Sequence, residues 1–129
     1  MLIAVAGPYS AETIKQQQRN LDAMNKAAAG VMMRGHSPVI GVNAALPVVA
    51  WLEAEQDRYE TIMAISLALV DKCEAILMVG ESPGANRERD LVSSKGLPVY
   101  MNISEIPAAF AAPGAAAQRI QPDPKTPSA

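Results

Sequence analysis

Ala75-Ile76-Leu77-Met78-Val79-Gly80-Glu81-Ser82-Pro83-Gly84-Ala85-Asn86-Arg87-Glu88 joins an unbroken apolar run to a small-residue turn and then to a polar, charged stretch. A short apolar run bounded by turn signals reads as a strand buried on both faces, the type found in parallel sheets. The pattern after the turn predicts a helix from about Asn86 to Lys95, stopped by Gly96, and Leu97-Pro98-Val99-Tyr100-Met101 reads as a further strand. Glu88 then falls in the first turn of that helix, beyond the C-terminal end of a strand, where open parallel sheets place their ligand sites.

The same rhythm extends toward the N terminus. Leu2 to Ala6 reads as a strand, Gly7-Pro8-Tyr9-Ser10 as a turn, and about Ala11 to Arg34 as a long helix. Leu21, Met24, Ala28, Val31 and Met32 recur at three- and four-residue steps and form its apolar face. Gly35-His36 ends it, and Ser37 to Gly41 is a second strand with Pro38 near its start, where a missing N–H does least harm. An irregular stretch to Pro47, a short helix over Val48 to Glu55 and a helix over about Arg58 to Asp71 precede the central strand. Strands alternating with helices predict a flavodoxin-like α/β fold: a doubly wound parallel sheet of four to five strands, helices on both faces and right-handed crossovers. This domain is expected to span residues 1–106. An Ala/Pro/Gly-rich tail follows over 107–129, with a short helix over Ser104 to Ala112 at its start and Ser104 as its N-cap.

Composition narrows the function. With 129 residues the chain suits one domain, and a formal net charge of −2 with 19% charged residues offers no basic surface to a nucleic-acid backbone. The single cysteine, Cys73, has no internal disulfide partner, and with His36 as the single histidine no His/Cys metal site is indicated. A reducing cytoplasm is the expected compartment. Met1 leads into an apolar strand with no basic n-region, so no export signal is expected. The longest apolar segment, Ile62 to Val70 with Ser66 inside it, is far short of the roughly 20 residues that cross a bilayer.

Each candidate residue carries two readings. Gly7 lets a ligand approach the backbone ahead of a helix whose N–H groups suit an anion, with Ser10 adding a hydroxyl; alternatively Gly-Pro-Tyr-Ser is a tight turn with Ser10 as N-cap. It is neither a GxGxxG fingerprint nor a P-loop, because no Lys-Ser/Thr pair closes it. Glu88 is either a nucleophile kept anionic by the helix dipole or a helix-start carboxylate engaged with Arg87, Arg89 or free N–H groups. Asp71 and Glu74 read as helix-end and turn residues, the alternative being that Glu74 joins Glu88 in a cleft. Cys73 reads as a small buried residue, His36 as a helix-end packing residue, and Met24, Met32, Met33 and Met63 as core fillers.

Ala-Gly-Pro-Tyr-Ser at 6 to 10, Asn20, Gly35-His36-Ser37-Pro38, Glu81-Ser82-Pro83-Gly84 with Glu88, and Gly-Leu-Pro-Val at 96 to 99 together resemble the nucleoside 2-deoxyribosyltransferase-like superfamily. The likeness covers about residues 1 to 102, and is nearest to a small Gly-Pro-Tyr branch beside the nucleoside 5'-monophosphate N-glycosidases. The resemblance implies cleavage or transfer at the N-glycosidic bond of a nucleoside or nucleotide, with Glu88 as nucleophile. Through a Ser-x-Gly-x-x-x-Glu pattern it places Ser82 and Gly84 at the sugar or its phosphate, with Gly7, Pro8 and Tyr9 on the opposite wall. It also implies a homo-oligomer with no metal or organic cofactor. Three positions depart from the family pattern: Ala4 stands where a first-strand tyrosine contacts the glutamate, Ser66 where an aspartate recognises the base, and Glu74 where an aspartate begins the central strand. The rival reading is a non-catalytic nucleotide-binding or regulatory module of the same fold, and a third is an interaction domain with no small-molecule ligand.

Overall fold

The computed structural model describes residues 1–53 and 57–109. Its strands are β1 (Leu2–Ala6), β2 (Ser37–Val39), β3 (Ala75–Met78) and β4 (Val99–Tyr100), all parallel, in the order β2-β1-β3-β4. The helices are α1 (Ile14–Met33), α2 (Gly41–Val49), α3 (Arg58–Val70) and α4 (Pro83–Ser94). This is an α/β fold of the flavodoxin-like doubly wound kind. From β1 the chain moves outward to β2 on one side, and from β3 to β4 on the other. The switch point therefore lies between β1 and β3, which run in register from Ile3 opposite Ala75 to Ala6 opposite Met78.

Two-residue alternation divides the sheet between two cores. Ile3 and Val5 of β1 and Ala75 and Leu77 of β3 pack with Met24, Ala28 and Val31 of α1. Ala4, Ala6, Ile76 and Met78 face the other way, onto Val70 of α3 and Ala85 and Val92 of α4. A side chain as fully buried as Ile76 contributes roughly 1.5–3 kcal/mol. The buried stripe of α1 runs through Met24, Ala28 and Val31. Met32 and Met33, one and two residues further on, rotate off that stripe and are exposed, so they are not core fillers as expected, whereas Met24 and Met63 are buried.

Several boundaries differ from the sequence expectation for identifiable reasons. Helix α1 starts at Ile14, because Thr13 rather than Ser10 is the N-cap, its Oγ1 accepting from Gln16 N at 3.1 Å. The Thr-x-x-Gln spacing at 13–16 is a recognised helix-start signal. The stretch before Pro47, expected to be irregular, is helix α2, with Pro47 inside it. Gly41, Ala45 and Val49 recur every four residues and are buried, and the N–H missing at Pro47 leaves the carbonyl of Asn43 without its intrahelical donor at an exposed position, where the cost is least. The helix expected over 48–55 is thus displaced toward the N terminus, and 54–56 lie outside the described residues. Helix α4 begins at Pro83, three residues before the expected Asn86, because Ser82 caps it and proline is favoured in the first helical position. The helix expected from Ser104 is a single 3-10 turn, Ile103–Glu105, capped by Asn102, whose Oδ1 accepts from Ser104 N at 2.9 Å. Residues 110–129, most of the expected tail, lie outside the described residues.

At the opposite edge of the sheet from the switch-point loops, His36 is buried, with Nδ1 2.9 Å from the Met1 nitrogen and Nε2 2.6 Å from the Pro107 carbonyl. Arg34 Nε donates to Ile106 O at 2.7 Å, and Ala109 N to Arg34 O at 2.8 Å. These bonds fasten the chain after β4 to the end of α1, so His36 packs structurally, as its place after α1 suggested. Among the described residues, no helix is long and apolar enough to cross a membrane.

Candidate functional site

In a doubly wound sheet the helices run antiparallel to the strands, so the helix N-termini gather at the strands' C-terminal edge. The loop after β1 and the loop after β3 meet there. A Cβ on Gly7 would stand 3.2 Å from Val79 Cβ, so glycine is what permits the two loops to abut. Pro8 lies against Gly80 on the same seam. Behind them opens a cleft of about 550 Å³, within the range of small-molecule sites (roughly 300–1,000 Å³).

The cleft collects residues from every layer around the switch point. Gly7, Tyr9 and Ser10 come from the β1 loop, Gln17 and Met24 from α1, Arg58, Tyr59, Met63 and Ser66 from α3, and Ser82, Gly84 and Glu88 from α4 and its cap. Five of the six residues expected to form the site, namely Gly7, Tyr9, Ser82, Gly84 and Glu88, line it; Pro8 does not, being turned into the seam. Tyr9 is held by Asn20, whose Nδ2 donates to the Tyr9 carbonyl at 3.0 Å. Gly84 packs on Met63 and Tyr59: a Cβ there would be 3.0 Å from Met63 Sδ and 3.7 Å from Tyr59 Cε2. Arg87 lies 5.7 Å from the Tyr59 ring centre and pairs with Glu60 at 3.0 Å.

Glu88 is the carboxylate of this lining, and its setting differs from the one expected. Because α4 starts at Pro83, Glu88 sits in the second turn of the helix, past the reach of the terminal N–H groups. Arg87 pairs with Glu60, and Arg89 with Glu81 and Asp90, so neither arginine neutralises it. It is 7% exposed, and its partner is Ser66, whose Oγ donates a hydrogen bond to Oε1. Burial pushes the Glu88 carboxyl above the ordinary glutamate range, and the Ser66 bond works against that rise. The environment therefore favours the neutral acid rather than the anion that a helix dipole would favour.

Gly41, the first residue of α2, completes this arrangement. A Cβ built on it would collide with Ser66 Oγ and lie 2.8 Å from Ser66 Cβ and 2.9 Å from Ser66 Cα, closer than real Cβ atoms come. Helices α2, α3 and α4 therefore converge on Ser66 and Glu88 only because position 41 has no side chain.

Other candidates fall elsewhere. Glu74 is not in the cleft with Glu88: it lies at the sheet's opposite edge, where Oε2 accepts from Leu2 N at 2.6 Å. Asp71 caps the end of α3 and pairs with Lys95, which holds its carboxyl below the usual range. Cys73 is buried, and burial raises its thiol away from reactivity. Ser82 serves as N-cap, accepting from Ala85 N at 3.1 Å, which leaves its own hydroxyl hydrogen directed elsewhere. Replacing it with alanine is expected to cost about 1 kcal/mol of stability, read as a lower urea midpoint at unchanged slope.

Sequence reasoning missed Gln17, Arg58, Tyr59 and Met63. A signal for the last three exists: Asp57 is a helix-start residue, and the first turns of any helix preceding a central parallel strand lie beside the switch point. Gln17 and Gly41 carry no such signal. Among the described residues, no group of three or more His, Cys, Asp or Glu side chains gathers as a metal site. No protein-family model matches the chain, and a search of curated proteins finds no match.

Proposed function

We propose that the protein cleaves or transfers at the N-glycosidic bond of a nucleoside or nucleoside monophosphate, with Glu88 as the nucleophile. The observation that carries this reading is a buried carboxylate facing a switch-point cleft of about 550 Å³ that also holds two tyrosines, Tyr9 and Tyr59. Aromatic faces suit a planar base, while Ser82, Gln17 and Ser10 supply polar groups for a sugar.

In the proposed reaction the ionised Glu88 oxygen attacks the anomeric carbon. The carbon–nitrogen bond breaks, its electron pair leaves with the base, and the base takes up a proton from solvent. The resulting glycosyl ester is then attacked by water, or by a nitrogen of a second base, which gives up a proton as the carboxylate is regenerated. The positive character that develops on the sugar is stabilised by the adjacent carboxylate, all the more because Glu88 is buried. Residues of a second copy completing the cleft are part of the proposal, and exposed Val48, Trp51 and Leu52 at the end of α2 offer apolar surface for self-association.

The test is chromatographic detection of free base after incubation with a panel of nucleosides and nucleoside monophosphates, with and without an acceptor base. Release or exchange that disappears in Glu88→Ala supports the proposal. A folded wild-type protein that releases base from no member of the panel overturns it. One observation favours a non-catalytic binding module instead: burial opposes the ionised form that a nucleophile needs. Calorimetric binding of nucleoside monophosphates without turnover, unaffected by Glu88→Gln, would establish that second reading.

A further inference from the structure

We infer that Ser66 is a positioning residue for Glu88, its hydroxyl holding Oε1 so that the other carboxylate oxygen is presented to the cleft; its catalytic consequence rests on the glycosidic reading above. Three observations support the assignment. Ser66 is 1% exposed in the middle of α3, yet it and Glu88 both line the cleft, so their contact lies at the cleft floor rather than in the general core. A serine inside a helix commonly returns its hydroxyl to the carbonyl one turn back. Here the hydroxyl reaches across to another helix, and among the described residues it is the donor to the Glu88 carboxyl. Gly41 is packed against Ser66 so tightly that any side chain would displace the hydroxyl. Donor, acceptor and spacer come from three helices and are separated by 22 residues between Ser66 and Glu88, an arrangement that helix packing alone does not require.

The chemistry follows from which species the bond favours. A hydroxyl donating to a carboxylate stabilises the anion, so Ser66 keeps Glu88 available as a nucleophile in a setting that otherwise neutralises it. It also fixes the rotation of the carboxyl, which an unpartnered buried glutamate would not hold. Few other charges compete. From the β1 loop Tyr9 faces the cleft, from α3 Arg58 and Tyr59, and from the turn before β3 Cys73 feels the Glu88 charge. Helix α2 contributes no titratable residue, and on α4 itself Arg87 and Arg89 are engaged with Glu60, Glu81 and Asp90.

The experiment is a carbon-13 titration of the full chain labelled at the glutamate carboxyls, with Glu88 assigned by its loss in Glu88→Gln, comparing wild type with Ser66→Ala. Alongside it runs the pH profile of kcat/KM for base release. The Ser66→Ala change is nearly isosteric, and circular dichroism establishes that the variant is folded. The expected result is a Glu88 midpoint moved to higher pH in Ser66→Ala, an acid limb of the rate profile moved with it, and an approximately 10-fold or larger loss of kcat below the midpoint. A Glu88 midpoint and acid limb unchanged by Ser66→Ala overturn the inference while leaving Glu88 as nucleophile. A midpoint that moves in a protein that turns over no substrate sustains the positioning role and instead removes the glycosidic reading.

Discussion

Glu88→Gln is expected to reduce base release by on the order of 10³-fold or more while leaving the protein folded and slightly more stable at neutral pH. The two halves of this result have one cause. Glu88 is 7% exposed, and burial raises its carboxyl above the ordinary glutamate range, with only the Ser66 hydroxyl opposing the rise. When a carboxyl titrates higher in the folded than in the unfolded chain, the folded chain holds its proton more tightly. The stability this provides is complete below the unfolded value, roughly pH 4.3, and is lost as pH rises through the folded value. At pH 7 the wild-type protein carries that cost, and a neutral amide of the same shape does not. The variant should therefore gain stability at pH 7, and its Tm should no longer fall as pH rises through the mildly acidic range. Thermal unfolding from pH 4 to 8 checks the stability half, and chromatography of released base the catalytic half. A variant that loses stability at pH 7 would mean that the ionised carboxyl is a structural partner rather than a group held at a cost. On the proposed glycosidic reading, the same raised carboxyl sets the direction of the rate profile: turnover is expected to fall on the acid side, at a pH above that of an exposed glutamate.

Gly41→Ala is expected to be strongly destabilising, costing about 3 kcal/mol and disturbing the Ser66–Glu88 pair at the same time. The added carbon would collide with Ser66 Oγ and stand 2.8 Å from Ser66 Cβ and 2.9 Å from its Cα. A rotation of the Ser66 side chain would clear only the first of these contacts. Relief from the others requires α2 to move away from α3, against which it packs, and overpacking of a close-fitted interior commonly costs about 1–3 kcal/mol. Gly96→Ala supplies the comparison. Gly96 has φ +72, and a methyl group there would meet nothing within 4 Å, so its alanine variant suffers the left-handed backbone alone, about 1–2 kcal/mol. Urea unfolding of both variants separates steric intrusion from backbone strain. A Gly41→Ala cost no greater than that of Gly96→Ala would show that the three helices yield easily at this point. The Glu88 carbon-13 midpoint in Gly41→Ala would report whether the Ser66 bond survives.

Much of the architecture was legible because strands and helices imprint local periodicities. The apolar run at 75–79, the turn after it and the 3.6-residue stripe through Met24, Ala28 and Val31 each occupy one window of chain. Boundaries were less legible where one residue overrode the composition: Thr13 moved the start of α1, Ser82 with Pro83 moved the start of α4, and the buried four-residue repeat of α2 carried a helix through Pro47. Of the cleft, Gly7 and Glu88 were accessible from their places beside strand ends, whereas Ser82, Gly84 and Tyr9 were marked only through the family resemblance.

By itself the sequence determined that strands alternate with helices in a parallel α/β sheet, and that a carboxylate stands just beyond the C-terminal end of one strand; that the loops after β1 and β3 flank the switch point came from the strand order. The first two follow from hydrophobic period and turn chemistry, which act over neighbouring residues. Only the tertiary structure decided that Glu88 is buried, that its partner is Ser66 rather than an arginine or a helix N-terminus, that Glu74 faces the other edge, and that Gly41 leaves the room for all of this. The reason is that burial and hydrogen bonding depend on which side chains three separate helices bring to one point, and a carboxylate's charge state is set by that neighbourhood and not by its place in the chain.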